Sequence, residues 1–115
     1  MEPKVVDNPA ASRFEILVDG ELAGFADYRR SRSTVAFTHT LIEPRFEGRG
    51  LGSVLARRAL DATRDAGLSV LPFCPFIRGY IQRHPAYVDL VPADQWTRFG
   101  LEPASSPASS EARDE

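Results

Sequence analysis

Between His39 and Asp61 the chain reads HTLIEPRFEGRGLGSVLARRALD. Gly48, Gly50 and Gly52 fall there, beside Arg45 and Arg49, where a strand-like pattern gives way to a helical one. A loop that feeds a helix leaves several amide N–H groups unpaired at the positive end of the helix dipole. Glycines let an anion approach that backbone closely, and guanidinium groups suit phosphate oxygens. The spacing therefore predicts an anion site built from Gly48, Arg49, Gly50, Leu51, Gly52 and Ser53, with Arg45 adding charge. It is not the phosphate loop of nucleotide triphosphatases, because Ser53 follows Gly52 with no lysine between them. The dinucleotide fingerprint fits poorly too. Its third glycine lies three residues beyond the second, whereas here the spacing is G-x-G-x-G, and no acidic residue ends the next strand near Leu71.

Cys74 is the only cysteine and stands directly before Pro75. If Pro75 opens a helix, Cys74 occupies its N-cap, where the dipole favours a thiolate. Such a group can serve as nucleophile or acid; a free cysteine in an apolar strand end is as readily a small buried hydrophobe. His39 lies within a strand pattern, with Phe37 and Leu41 on its face. An imidazole of ordinary pKa, about 6.5, can take up a proton near neutrality, and on an apolar face it also serves as a core residue. His84, before Pro85, reads as a helix end. No metal is expected.

The elements that must position these groups follow from periodicity. Arg13 to Val18 alternates, with Phe14, Ile16 and Val18 on one face. Asp19-Gly20 is a two-residue hairpin turn, Leu22 to Arg30 the partner strand, and Thr34 to Ile42 a third strand closed by Pro44. From Leu51 the period becomes helical: Leu51, Val54, Leu55, Ala59, Ala62 and Ala66 share a face opposite Arg57, Arg58, Asp61, Arg64 and Asp65. Gly67 stops that helix, Leu68 to Phe73 reads as a buried strand, and a second helix runs from Pro75 to about His84. The order is β-β-β-α-β-α, an α/β (α+β) domain with a mixed, mostly antiparallel sheet whose helical crossover joins parallel strands. Residues 1–12 read as a flexible N-terminal arm, 13–102 as the domain and 103–115 as a disordered tail. The cluster Tyr28-Arg29-Arg30-Ser31-Arg32 reads as a solvated strand end; the alternative is a basic patch for an acidic acceptor or a cofactor's outer phosphate. Trp96 and Phe99 read as a segment that folds back over the sheet.

Composition bounds the rest. One domain of 115 residues with 43% hydrophobic and 26% charged residues is an ordinary globular chain. A formal charge of −2 gives no general field for nucleic acid. The lone cysteine suits a reducing compartment, and neither an apolar leader nor a membrane-length apolar run is present. A cytoplasmic protein is expected, with no nucleic-acid or membrane partner; no feature signals an oligomeric state.

LIEPRFEGRGLGSVLARRALD resembles the acetyl-CoA loop and helix of the GNAT superfamily of N-acetyltransferases. The pattern there is Gln/Arg-x-x-Gly-x-Gly/Ala, and Glu47, Gly50 and Gly52 take those positions, Glu47 departing from the usual Gln or Arg. VLPFCPFIRGYIQRHPAYVDLV resembles a narrower group, the short single-domain YjdJ-type relatives. The resemblance implies that the third and fourth strands splay, that backbone at Leu41 and Ile42 meets the pantetheine arm, and that the anion is the pyrophosphate of acetyl-CoA. It implies that Cys74 accepts the acetyl group or protonates the leaving thiolate. It also puts Tyr80 where a helix tyrosine protonates the CoA sulfur, and His39 where it takes the proton of an incoming amine. Small amines, protein lysines and N-termini all satisfy the acceptor role. Because full GNAT enzymes have extra N-terminal helices, the rival reading is a non-catalytic CoA- or acetyl-CoA-binding module, or a subunit that needs a partner to complete its acceptor site. A nucleotide-binding regulator rests on the loop alone.

Overall fold

A computed structural model of the chain describes residues 2–101. It contains a five-stranded sheet in the order β1-β2-β3-β4-β5, formed by β1 (Lys4–Asn8), β2 (Arg13–Val18), β3 (Glu21–Arg30), β4 (Thr34–Ile42) and β5 (Ser69–Pro72). The first four strands pair antiparallel and β4 pairs parallel with β5. The parallel step is made through α1 (Leu51–Asp65), and α2 (Pro75–Arg83) follows β5. Three-residue and longer 3-10 turns then lead to the short helix α3 (Trp96–Phe99). The expected tail over 103–115 lies outside the described residues.

The Asp19-Gly20 turn has positive φ at both positions, 52° and 81°, the signature of a type I′ hairpin that matches the twist of β2 and β3. Phe14, Ile16 and Val18 point inward as their alternation predicts, and join Tyr28, Val35, Phe37 and Val70 in the core. Helix α1 covers this face of the sheet with Leu51, Leu55, Ala56, Ala59, Leu60 and Thr63. The buried stripe is thus rotated from the expected one: Ala62 and Ala66 are exposed and Ala56, Leu60 and Thr63 are inside. Alanines weigh little in the balance of apolar area, so burying Leu55 and Leu60 decides the rotation.

Two further expectations change. Residues 4–8 are not a loose arm but an edge strand, which adds a β ahead of the expected order. Apart from Val5-Val6, KVVDN has little strand signal of its own; its order comes from tertiary pairing with β2. The Tyr28 hydroxyl donates to Asp7 at 2.6 Å, Asn8 Nδ2 donates to Glu15 at 3.2 Å, and Asn8 Oδ1 accepts from the Ala11 amide at 3.3 Å. The Trp96 segment folds against α2 and the Phe73 side chain: Phe73 and Phe99 meet edge-on at 5.3 Å, Trp96 Nε1 donates to the Val91 carbonyl, and Gln82 Nε2 donates to that of Phe99. On the opposite side, Arg64 forks onto Asp89 with two 3.0 Å bonds, and Tyr87 donates to Asp61 at 2.8 Å, tying the turn after α2 to α1.

The second face of the sheet carries Arg13, Glu15, Phe25 and Asp27, all only half-buried. Arg13 donates to Glu15 at 2.8 Å and rests on the Phe25 ring at 4.7 Å.

Candidate functional site

Strand β4 owes its role to two irregularities. It pairs with β5 only from Thr34 to Phe37, and the Cys74 amide then donates to the Phe37 carbonyl at 2.8 Å. From Thr38 to Ile42 that edge has no strand partner among the described residues, so its amides and carbonyls face a gap. On the other edge the register with β3 shifts, with Asp27 opposite His39 but Tyr28 opposite Phe37. Thr38 is thus an extra residue, a bulge that re-aims the side chains from His39 onward.

Past the bulge, Thr40 and Ile42 turn toward the side covered by α1. They line a cavity of about 350 Å³ together with Phe46, Glu47, Gly48 and Gly50 of the loop, Leu51, Gly52 and Ser53 of α1, and Phe76 of α2. The start of α1 forms one wall of this cavity. Gly50 is the N-cap of α1 in the left-handed region, φ 74°, with no side chain capping the helix. The amides of Gly50, Leu51, Gly52 and Ser53 have no acceptor among the described residues. Four free donors at the positive end of a fifteen-residue helix form a receptor for an oxyanion. The apolar walls Ile42, Phe46, Leu51 and Phe76 suit an alkyl chain attached to it.

Of the residues expected to bind, Ile42, Gly48, Gly50, Leu51, Gly52 and Ser53 line this cavity. Leu41 does not: it is 37% exposed, because it alternates with Thr40 and Ile42. Arg45 and Arg49 sit outside the lining, with their guanidinium groups over the Phe46 ring at 4.6 and 5.4 Å, and Arg45 also pairs with Glu21 at 3.2 Å. Glu47 does line the cavity.

The three expected catalytic side chains are not brought together. Cys74 is the N-cap of α2 and is 2% exposed; its thiol donates to Thr40 Oγ1 at 3.3 Å. His39 is exposed, and its ring lies 6.2 Å from Phe25 of the uncovered sheet face. The expectation that His39 shares a face with Phe37 is overturned by the bulge, since Phe37 is fully buried. Tyr80 is 5% exposed and outside the cavity lining, stacked on His84 at 4.0 Å with Tyr87 at 5.9 Å. Sequence reading missed Thr40, Phe46 and Phe76 as lining residues. Thr40 depends on a bulge that has no glycine to announce it. Phe76 lies in the first turn of α2, beside Cys74, and that position is the one sequence signal for its place at the gap.

A family signature described as GCN5-related N-acetyl-transferase matches residues 13–90. Among solved structures, the solution structure of a GCN5-like protein from Staphylococcus aureus superimposes with a TM-score of 0.60 at 18% identity, over 77% of this chain and 87% of that one. A ribosomal-protein-alanine N-acetyltransferase from Brucella melitensis biovar Abortus 2308 gives a TM-score of 0.50 at 18% identity, over 70% of this chain and 61% of that one. At these identities the likeness is one of fold. No curated protein matches the chain. No described helix is long and apolar enough to cross a membrane.

Proposed function

Because the chain belongs to the GCN5-related N-acetyltransferase family, we propose that it binds acetyl-CoA in the cavity between β4, α1 and α2 and transfers the acetyl group to an amine. The observation that carries this reading is the row of free amides from Gly50 to Ser53, residues that line the cavity. Those amides would take the pyrophosphate. The unpaired edge of β4 from Thr38 to Ile42 would hydrogen-bond the amide-bearing pantetheine arm as a missing strand would. The thioester then comes to rest in the gap near Thr40 and Cys74.

On this reading the amine arrives from the uncovered sheet face, where His39 stands exposed to take its proton. Much of the acceleration comes from holding amine and thioester in reacting geometry. Tyr80 supports α2 by packing. The Cys-Pro-Phe and His-Pro-x-Tyr segments favour the short single-domain type within the family.

Titration calorimetry and thermal melting test binding: acetyl-CoA raises the melting temperature, whereas ATP and NAD do not. Release of free CoA thiol in the presence of spermidine, a lysine peptide and a free N-terminal peptide tests transfer. The open sheet face favours one second reading, a CoA-binding subunit whose acceptor wall comes from a partner. That reading predicts tight acetyl-CoA binding and no thiol release with any of the three amines.

A further inference from the structure

The buried thiol of Cys74 and the hydroxyl of Thr40 form one unit, and only one end of it meets the cavity. Cys74 is 2% exposed and is not part of the cavity lining, whereas Thr40 is. The thiol donates to Thr40 Oγ1 at 3.3 Å, which leaves the hydroxyl hydrogen of Thr40 free to point elsewhere. No other hydrogen bond uses that hydroxyl among the described residues, and the gap beside β4 is the space left for its proton. Strand β4 is unpaired at this point and the bulge at Thr38 turns Thr40 inward, so the placement is a product of the fold rather than of a surface rotamer.

We propose that Thr40 is the catalytic proton donor to the leaving CoA thiolate and that Cys74 resupplies it without itself taking the acetyl group. This assignment rests on the acetyltransferase reading. The amine nitrogen attacks the thioester carbonyl carbon and forms the N–C bond. On collapse the C–S bond breaks and sulfur departs with its electron pair. That sulfur takes the proton of Thr40 Oγ1, and Thr40 takes the thiol proton of Cys74. The thiolate left on Cys74 sits at the N-terminus of α2, where the helix dipole stabilises it until the next proton arrives. The amine proton, removed through His39 to solvent, equals the one that Cys74 later regains. The products are the N-acetyl amine and CoA thiol, with nothing else consumed.

Thr40→Val keeps the shape of the side chain and removes the hydroxyl; Thr40→Ser restores it. Thr40→Val is expected to lower kcat for acetyl transfer to spermidine or a lysine peptide by about 100-fold, the usual scale for a lost general acid. Its acetyl-CoA affinity by calorimetry stays at the wild-type value, and Thr40→Ser recovers most of kcat. The S–H stretch of Cys74, the chain's only thiol, moves to higher wavenumber in the Raman spectrum of Thr40→Val as its acceptor is lost. Three results overturn the assignment: Thr40→Val turning over at the wild-type rate, an unmoved S–H band, or a stable acetyl adduct on Cys74 by mass spectrometry. Wild-type protein that binds acetyl-CoA but transfers to no amine refutes the proton-donor role while leaving the binding site standing. Failure to bind acetyl-CoA refutes the underlying reading itself.

Discussion

The ring of Phe76 lies directly against Gly52: a β-carbon on Gly52 would stand 2.8 Å from the Phe76 Cζ atom. The glycine that reads in sequence as room for a phosphate is thus also room for a phenyl ring. Helix α1 and helix α2 meet at their first turns through this contact, and both residues line the cavity.

Gly52→Ala therefore has opposing effects on stability and binding. Alanine in a helix gains about 1 kcal/mol over glycine, while Phe76, 38% exposed and free to swing, must give way. The melting temperature is expected to change little, because the two effects offset. Acetyl-CoA affinity falls, since the displaced ring moves within the cavity. Combining Gly52→Ala with Phe76→Ala should recover part of the affinity that Gly52→Ala loses. Calorimetry on the two single variants and the double variant measures that coupling.

Gly50 is sensitive in another way. Its φ of 74° is a left-handed conformation, and nothing lies within 4 Å of where its β-carbon would be. Gly50→Asp costs roughly 1 kcal/mol of backbone strain, which in a domain of this size lowers the melting temperature by about 4–8 °C. Its carboxylate would stand at the free amides, so acetyl-CoA no longer raises the melting temperature. A retained ligand shift in a folded Gly50→Asp protein refutes the assignment of pyrophosphate to this corner.

Much of this frame is legible in the residues. Strands β2 and β4, the Asp19-Gly20 turn, the start of α1 and the extent of α2 all follow from local pattern, because each carries its own hydrophobic period or its own turn or cap residue. Strand β1 is not, because Asp7 and Asn8 are held by Tyr28 and Glu15 from other strands. The loop's amides could be anticipated from glycine spacing. The separation of His39 from Thr40 could not, for it turns on a one-residue bulge set by the register between β3 and β4. The same limit applies to α1, whose phase is decided by which leucines the sheet accepts.

Glu47 lines a site proposed to hold a diphosphate, and its carboxylate is the acidic group of that lining. Like charges about 4 Å apart in water repel by roughly 1 kcal/mol, equivalent to about a fivefold change in affinity. Glu47→Gln is therefore expected to tighten acetyl-CoA binding several-fold, with the gain shrinking as salt is raised. Calorimetry at low and high ionic strength checks it. Unchanged or weaker binding by Glu47→Gln would mean that its carboxylate faces away from the phosphates.

Two phenols bear on alkaline stability. Burial, reinforced by hydrogen bonds to Asp7 and Asp61 respectively, pushes both Tyr28 and Tyr87 from 10.0 up to about 12. A raised pKa means that the folded protein holds these protons more tightly than the unfolded chain does. The associated stability is complete below pH 10 and is lost as pH climbs through 12. Denaturant midpoints should hold up to about pH 10 and fall steadily above it, in step with phenolate absorbance. Tyr28→Phe removes one of the two groups and the hydroxyl that anchors β1 to β3, so it lowers stability at neutral pH and flattens the alkaline decline. Tyr87→Phe flattens the decline in the same way but frees the turn after α2 instead. Amide exchange should locate the neutral-pH loss in residues 4–8 for the first variant and 85–90 for the second. If the alkaline slope is the same in both variants as in wild type, these phenols are not the groups that set it.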